Sequence, residues 1–380
     1  MTVLRAVLRA LRRPAVLLGV ILVALVVAGG LIALSGADPI IGLQGFVQGV
    51  SSSPYRVGEL SVGAVPIAIV ALTLIPALRA GIFSVGAEGQ VAMGALLAAA
   101  AILGMHRMLG AGVPGIAYWV VGALAGCLAG GVFSLLPAFL KARWNVNEIL
   151  STLLLNYIAS GILGWSLRTW LATGATVATP QSDPLPEAAQ LPLLVPLTRA
   201  HAGILLVVVV AIVFLIWRRT ASSTRIEVYA ERPRLARRLG ASRSGTIYGT
   251  ILISGLGAGL VGWVQLAGLN DRLVPSVTGG VGFSGVAVAL LGQLVPLGIL
   301  ASALFFSALS VGAAGIQSAT GTVPTSIADV VKSVILLGVA CVAPLLARRS
   351  ARAPRSGGTA PEPSDADDRS AVDEPAAVTS

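Results

Sequence analysis

The sequence predicts an all-α membrane protein, a polytopic bundle of about ten transmembrane helices. Of its 380 residues, 56% are hydrophobic and only 11% are charged, whereas roughly a quarter of a soluble globular chain is charged. Glycines recur at four-residue spacing inside two apolar stretches, at Gly122, Gly126 and Gly130 and at Gly255 and Gly259. Such spacing predicts close packing between membrane helices.

Ten apolar stretches are candidates for membrane spans. A helix needs about 20 predominantly apolar residues to cross a hydrocarbon core of about 30 Å. The eighth and ninth stretches are the least clearly separated, with a break expected near Pro296. The predicted spans are 14–34, 61–78, 82–104, 116–140, 149–172, 201–217, 247–268, 281–298, 299–317 and 327–347.

The positions of Lys and Arg predict a multi-pass protein of the plasma or inner membrane with both termini in the cytoplasm, because short basic loops stay inside. The basic N-terminus, 1–13, precedes a transmembrane domain over 14–347, whose first span is expected to be retained rather than cleaved as a secretory signal. The proline-rich segment 173–200 is expected outside as an ordered loop. Within the last segment, 348–380, the residues from 353 onwards are rich in acids, Pro and Ser and contain little to bury, which predicts a disordered cytoplasmic tail.

An acidic residue lies near the start of the third predicted span. Gly81, Gly86 and Gly89 surround Glu88, so the backbone can bend there. A broken helix and a carboxylate inside a membrane are tolerated only where protein or a water-filled cavity surrounds them. Two interpretations remain open: Glu88 and Gln90 belong to a permeation path or its gate, or they form buried hydrogen bonds that fix the bend.

The fifth predicted span carries one polar stripe on an otherwise apolar helix. Residues three and four positions apart share a helix face, and the stripe consists of Glu148, Ser151, Thr152, Asn156 and Ser160. Asn145 and Glu148 are expected to cap the helix start. The stripe faces either a solute pathway or a neighbouring helix. The candidate pathway residues in this region and in the seventh span are Asn147, Glu148, Ser151, Asn156 and Gln265.

The arginine-rich segment 218–246 is the longest internal loop expected in the cytoplasm. Residues 231–240 are expected to form a short helix, with Pro233 in its first turn and Gly240 at its end. This helix either docks a soluble partner or only sets the topology and contacts anionic lipid headgroups. The candidate docking residues are Glu231, Arg232, Arg234, Arg237, Arg238 and Gly240.

Other classes of function are not expected from this sequence. The two cysteines and two histidines lack metal-ligand spacing and a disulfide framework. The lysines Lys141 and Lys332 do not follow glycine, so the chain lacks a phosphate-binding P-loop. Its charge of +10 falls in short segments between spans, which is typical of orientation signals rather than of nucleic-acid binding. No nucleophile, base and orienting group converge, so an enzyme is not expected.

Several stretches resemble the permease subunits of ABC importers for simple sugars, nucleosides and branched-chain amino acids. GIFSVGAEGQ over 81–90 resembles their signature, and residues 230–243 followed by ISGLGAGLVG over 253–262 agree with it, as does GFSGVAVALLG over 282–292. NEILSTLLLNYIA over 147–159 looks like the nucleoside branch. The resemblance covers about 60–345.

This resemblance implies two pseudo-symmetric halves, with the loop between the sixth and seventh spans docking on an ATPase, which favours the docking interpretation of residues 231–240. It implies two cytoplasmic ATPase subunits that bind ATP and Mg, so no cofactor is expected in this chain. It also implies an extracytoplasmic solute-binding protein, often a lipoprotein, and a second permease, expected to be a different chain in a heterodimer.

The function that we expect is a nucleoside pathway working by alternating access and driven by the partner ATPase. A nucleoside is neutral and hydroxylated, so a weakly polar path of Asn, Ser and Gln side chains suits it. One alternative is a permease of the same type for simple sugars such as ribose or galactose. Another is an ion-coupled secondary transporter, which the scarcity of carboxylates within the spans disfavours.

Overall fold

The computed structural model describes residues 26–172 and 179–334, together with Leu22 and Gly338. Over these residues the chain is helical, and extended backbone pairs only at an isolated bridge between Leu193 and His201. The predicted all-α membrane bundle is confirmed. Within the described residues, six helices are long and apolar enough to cross a membrane, or up to eight if two bent pairs each count as a span. The count of ten stays a prediction, because the basic N-terminus, most of the first span, the end of the last span and the tail lie outside the described residues.

The helices are numbered in chain order. They are α1 Val26–Leu34, α2 Pro39–Ser51, α3 Pro54–Thr73, α4 Ile75–Arg79, α5 Ala87–Leu109, α6 Gly115–Trp144, α7 Glu148–Arg168, α8 Gly203–Trp217, α9 Ala221–Glu231, α10 Pro233–Arg238, α11 Arg243–Gln265, α12 Val281–Leu291 and α13 Pro296–Thr320. A π-helical turn, Leu266–Asn270, extends α11, and residues 327–334 begin a further helix.

Helix α2 is an element that hydropathy did not predict. It follows α1 after a bend of 117° and packs along α13. The contact is close because glycines meet: a Cβ on Gly49 would lie 2.7 Å from the Cα of Gly315. Its 13 residues are too few for a span, and Gln44 and Gln48 interrupt the apolar pattern.

The centre of the bundle is formed by α5, α6 and α11, which approach one another through glycine. A Cβ added to Gly259 would overlap the carbonyl oxygen of Gly126, and one added to Gly130 would overlap the carbonyl oxygen of Gly255. The predicted close packing is therefore confirmed, and it brings the backbones of α6 and α11 into direct contact.

The break between α12 and α13 lies earlier than the predicted spans 281–298 and 299–317 imply. Helix α12 ends at Leu291, and Pro296 occupies the first turn of α13, where its missing N–H costs no hydrogen bond. In the turn between them, Gln293 and Leu294 have φ values of 54° and 57°. Two consecutive residues other than glycine in the left-handed region make this turn strained.

The segment 179–202 follows the end of α11, as backbone hydrogen bonds show. Ser182 N donates to Leu273 O at 3.0 Å, and Leu191 N donates to Ala267 O at 2.9 Å. The Arg199 guanidinium donates to Leu269 O at 3.0 Å. Within its described part, the segment predicted as an ordered outer loop thus follows a defined path over this end of the bundle.

His201 closes this segment and is 2% exposed. Its Nδ1 accepts a hydrogen bond from Gly203 N at 3.1 Å, which requires that nitrogen to be unprotonated. A Cβ on Gly268 would lie 2.8 Å from the ring, so the imidazole fills the space beside the π-helical turn. Burial, with a smaller contribution from the charge of Arg199, lowers the pKa of His201 below its ordinary value of 6.5.

Candidate functional site

The candidate site is built around the start of α5, where the sequence predicts a bend. The chain leaves α4 through Gly81, whose φ of +74° suits glycine. It then runs without helical hydrogen bonds until α5 begins at Ala87. The backbone groups of residues 83–85 therefore need partners from other elements, since no water is available inside a bilayer.

Glu88, in the first turn of α5, binds the start of α12. Its Oε1 accepts a hydrogen bond from Gly280 N at 3.1 Å, and its Oε2 accepts one from Gly282 N at 2.8 Å. A Cβ on Gly282 would lie 2.5 Å from the Cα of Glu88, so the two helix starts cross in direct contact. We call this arrangement of Glu88 with Gly280 and Gly282 the N-terminal clasp.

The clasp has a simple electrostatic basis. The N-terminus of a helix carries a partial positive charge, equivalent to roughly half an elementary charge, and leaves N–H groups without partners. At the clasp the N-termini of α5 and α12 meet, so their partial charges repel each other. The carboxylate of Glu88 lies between them, offsets this repulsion and accepts two of the free N–H groups. Charge-assisted bonds of this kind are stronger than neutral ones.

The polar stripe of α7 binds the segment before α5. Asn156 Oδ1 accepts from Gly89 N at 2.9 Å, while its Nδ2 donates to Val85 O at 3.0 Å. Thr152 Oγ1 accepts from Val85 N at 3.2 Å. Of the two interpretations of the stripe, the contact with a neighbouring element is the one observed for these two side chains.

Glu148 lies at the same junction and joins three elements. Its Oε2 pairs with Lys141 Nζ of α6 at 2.5 Å, and its Oε1 accepts from Phe83 N at 3.4 Å. The cap of α7 is Asn147, whose Oδ1 accepts from the N–H groups of residues 149 and 150 at 2.9 and 3.3 Å. The expected cap by Asn145 is wrong, because Asn145 ends α6 in a left-handed conformation and accepts a hydrogen bond from Arg243.

The remaining predicted residues are buried near this junction or near the clasp. Gln265 Nε2 donates to Val277 O at 3.4 Å, so Gln265 and Glu88 both bind the stretch 277–282 that leads into α12. Ser151 Oγ bonds only its own helix, at Glu148 O. Gln90 is 1% exposed, and its Oε1 has no hydrogen-bond partner among the described residues.

The structure therefore groups the predicted residues into two neighbouring sets. Glu88 and Gln265 hold the start of α12, while Glu148 and Asn156 hold the segment before α5. Sequence reasoning did not identify the partners, because they are backbone groups. The glycine-rich stretch GFSGVAVALLG was the available signal, since glycine at 282 permits the close crossing with Glu88.

The predicted docking segment, residues 231–240, lies at the opposite end of the bundle from 179–202. The predicted short helix is confirmed as α10, Pro233–Arg238, which has Pro233 in its first turn and follows the end of α9 at Glu231. Gly240 comes shortly after its end, with φ of +83°. Ala236 is fully buried, whereas Leu235 and Leu239 are 41% and 46% exposed. The exposed charged residues are Glu231, Arg232, Arg234, Arg237 and Arg238. An exposed surface of leucine and arginine suits a protein partner, although its role stays a prediction.

A cavity of about 570 Å³ lies beside the segment 179–202. Hydroxyl groups of Ser52, Ser53 and Thr198 line it together with apolar side chains such as Val57 and Ile204. The cavity is open to the surface and lies apart from the clasp.

The comparisons with known proteins agree with the membrane architecture. The family described as "Branched-chain amino acid transport system / permease component" matches residues 57–340. Among curated proteins, the chain is 31% identical to the glucose ABC transporter permease protein TsgB13 of Haloferax volcanii, over 83% of this chain and 84% of that protein.

Two permeases of Bacillus subtilis are also similar. The guanosine ABC transporter permease protein NupP is 30% identical over 82% of this chain and 89% of its own length. The guanosine ABC transporter permease protein NupQ is 26% identical over 64% of this chain and 76% of its own length. No solved structure matches the chain significantly.

Proposed function

Because the chain belongs to the family of branched-chain amino acid transport system permease components, we propose that it forms the pathway of an ABC importer whose cargo is a nucleoside. The chain is a membrane-embedded transport subunit and not an enzyme, and a separate subunit hydrolyses the ATP. The observation that carries the proposed cargo is the similarity to two permeases named for guanosine, together with the stretch NEILSTLLLNYIA in α7.

In this proposal the pathway or its gate contains the polar side chains around α5, α7 and α12. Glu88 and Gln265 support a gate, because they hold the start of a short helix by hydrogen bonds rather than by apolar packing alone. Gln90 supports it because a buried acceptor without a partner is available to water or to a different arrangement of the helices. The proposed pathway or gate residues are Glu88, Gln90, Asn147, Glu148, Ser151, Asn156 and Gln265.

The proposed mechanism is alternating access. ATP binding and hydrolysis on the partner displace the docking segment, and the pathway opens to each side in turn. In this proposal the docking segment lies in the cytoplasm, as do both termini, and an extracytoplasmic solute-binding protein, often a lipoprotein in such systems, delivers the cargo from the other side. The chain pairs with a second permease of different sequence in this proposal, which the similarity to both NupP and NupQ supports.

A permease for simple sugars is the second candidate, and one observation favours it. The glucose-named relative is 31% identical over most of both chains, a level similar to that of NupP. Glucose and a nucleoside both present hydroxyl groups, but only the nucleoside carries a planar base. Side chains that only hydrogen-bond hydroxyls would therefore serve either cargo.

The deciding experiment is the binding spectrum of the cognate solute-binding protein, captured by co-purification with the assembled transporter. Calorimetric titration with nucleosides, pentoses, hexoses and branched-chain amino acids measures it. Binding of guanosine or another nucleoside in preference to free sugars supports the proposal. Binding of only sugars or amino acids would keep the assignment as an importer but refute a nucleoside as its cargo.

Exposure to the pathway is tested separately by cysteine substitution. Ser151→Cys, Asn156→Cys and Gln265→Cys are labelled with a small water-soluble thiol reagent from each side of the membrane. A rate of thiol labelling that changes when ATP is bound supports a position in the pathway or gate. Cysteines that stay inert from both sides in every nucleotide state would remove these residues from the pathway.

A further inference from the structure

Arg79, the last residue of α4, connects three parts of the chain. Its side chain is only 11% exposed. One guanidinium nitrogen, Nη1, donates to Glu227 Oε1 at 2.5 Å and to Ser223 Oγ at 3.4 Å, both on α9. The other, Nη2, donates to the carbonyl oxygen of Leu294 at 3.1 Å. A guanidinium holds its partners in a fixed planar geometry, which the ammonium of lysine does not.

The α9 side of this connection continues directly into the docking segment. Helix α9 ends at Glu231, where that segment begins, and α10 packs against α9. Ile226 and Tyr229 of α9 contact the apolar cluster that contains Ala80 and Ile82, so α9 rests on the same turn that carries Arg79. A displacement of the docking segment therefore reaches Arg79 through one short helix.

The other side of the connection is the strained turn between α12 and α13. Gln293 and Leu294 are both in the left-handed region there, and Arg79 binds the carbonyl of the second. A conformation that is costly for residues with a Cβ persists only if its surroundings hold it. Arg79 lies outside the turn and helps to hold it in this conformation by its hydrogen bond to the Leu294 carbonyl.

Helix α12 is consequently held by polar bonds at both ends. Glu88 binds its first residues in the N-terminal clasp, and Arg79 binds the turn after its last residue. Both residues belong to the connection around α4 and the start of α5, only nine positions apart in the sequence. The eleven residues of α12 thus form a short lever with one polar attachment at each end.

We propose that Arg79 is a positioning residue that transmits the movement of α9 and α10 to the turn between α12 and α13, and through it to the N-terminal clasp. The proposal rests on the proposed function only in that a partner ATPase supplies the movement. It is independent of the cargo. Without the planar guanidinium of Arg79, the docking segment still binds the ATPase, but the turn at residues 293–294 no longer follows its movement.

The test follows the turn itself in the assembled transporter, with its partner permease and ATPase. Gln293 is exposed, so Gln293→Cys is introduced after replacement of Cys127 and Cys341 by serine. A membrane-impermeant maleimide is applied to inside-out vesicles, with and without ATP trapped by vanadate. We expect trapped nucleotide to change the labelling rate about fivefold or more, the scale of a typical coupling free energy.

Arg79→Gln is expected to abolish this nucleotide dependence while the ATPase still co-purifies. Arg79→Lys keeps the charge but not the planar guanidinium, so it is expected to restore only part of the change. Glu227→Gln, which leaves the contact with Leu294 in place, serves if Arg79→Gln fails to assemble, and it should weaken the dependence. Arg225→Gln, an exposed position on the same helix, is the matched control and should behave like the wild type.

The outcomes separate the two proposals. Nucleotide-dependent labelling that persists unchanged in Arg79→Gln and Glu227→Gln overturns the relay, and so does a wild-type turn whose labelling never depends on nucleotide. Failure of any ATPase to associate with the wild-type chain refutes the importer itself. A loss of coupling confined to the Arg79 and Glu227 variants supports the relay, whatever solute is carried.

Discussion

The carboxylate of Glu88 lies 2.8 Å from the backbone nitrogen of Gly282, although 194 positions separate the two residues. This contact joins the start of α5 to the start of α12, and each of these helices follows a glycine-containing stretch. It places a charged side chain in the middle of an apolar bundle, where only specific hydrogen bonds make a carboxylate tolerable. The predictions below start from this contact.

Loss of the Glu88 carboxylate should release the start of α12. A hydrogen bond to a charged group contributes about 1.5–3 kcal/mol, and Glu88→Ala removes two of them. We expect thermal unfolding in detergent at a clearly lower temperature and uptake reduced at least about tenfold, the factor that corresponds to about 1.4 kcal/mol. Glu88→Gln keeps one acceptor, so its unfolding temperature and uptake should lie between those of the wild type and Glu88→Ala.

The matched control is Glu187→Gln, which neutralises an exposed carboxylate of the segment 179–202. It should leave both thermal stability and uptake close to the wild type. Unchanged stability and uptake in Glu88→Ala would mean that the clasp is dispensable.

Asn156 should require both ends of its amide. Asn156→Asp keeps the acceptor for Gly89 N but turns a second oxygen towards Val85 O, whereas Asn156→Leu leaves both backbone groups without a partner. An unsatisfied buried backbone group costs about 1–3 kcal/mol. Thermal unfolding of the purified chain should show losses of this size for both variants, but not for Ser160→Ala on the exposed face of α7.

Reversal of charge in the docking segment should separate this subunit from its ATPase. Arg237 and Arg238 are exposed at the end of α10, and like charges placed in an interface oppose association. We expect Arg237→Glu combined with Arg238→Glu to abolish co-purification of the ATPase while the chain still inserts in the membrane. Arg143→Glu, exposed at the end of α6, controls for reversal of charge outside that segment.

The packing of segment 179–202 should depend on pH through His201. Its pKa in the folded chain lies below the ordinary 6.5 because of burial and then Arg199, so the folded state binds fewer protons than the unfolded one. The stability that the neutral ring provides is therefore complete above about pH 6.5 and is lost as the pH falls from there towards the folded pKa. Protonation also removes the acceptor that binds Gly203 N.

Limited proteolysis of the assembled protein between about pH 5 and 8, the range in which His titrates, should show easier cleavage within 179–202 at acidic pH. His201→Gln cannot titrate and should give a flat profile. An identical acid sensitivity in both proteins would assign the effect to another group.

Two glycines of α11 should respond in opposite ways to alanine. Gly259→Ala forces a Cβ against the Gly126 carbonyl, whereas a Cβ at Gly249 meets nothing within 4 Å. Overpacking costs about 1–3 kcal/mol, while alanine in place of glycine in an open helical position gains up to about 1 kcal/mol. Thermal unfolding should therefore fall for Gly259→Ala and hold or rise for Gly249→Ala.

The helices of the fold were predictable where contact with lipid restricts the sequence to apolar residues. A helix in contact with lipid must be predominantly apolar across the hydrocarbon core, so α6, α7 and α8 were located within a few residues of their observed bounds. Hydropathy fails where a helix packs against protein through glycine and is too short to span. Helix α2 was missed for this reason. The break expected near Pro296 does lie beside the start of α13, but the predicted span boundary fell a few residues late, because the two apolar segments that it divides differ little in polarity.

In each contact of the candidate site, the sequence predicted the polar side chain but not the backbone group that it binds. Glu88 and the stripe of α7 were recognisable, since a charged or amide side chain in an apolar run needs a partner. Their partners at Val85, Gly89 and Gly282 are backbone groups, and every residue type has these, so the sequence cannot show which ones are used. Arg79 is a basic residue between two apolar stretches, and such residues act as orientation signals whether the side chain is exposed or buried. Its contacts with α9 and Leu294 were therefore not predictable from the sequence.

The direct contact of α6 with α11 also determines how much variation each face of α6 tolerates. Every missense change of a glycine codon introduces a Cβ, so no amino acid other than glycine fits against the opposing backbone at Gly126 or Gly130 without displacement. On the opposite face, Leu124 and Leu128 are 57% and 61% exposed, and any apolar residue can replace them in lipid. A saturation library of this one helix should thus separate into a strictly intolerant face and a freely variable one, turn by turn.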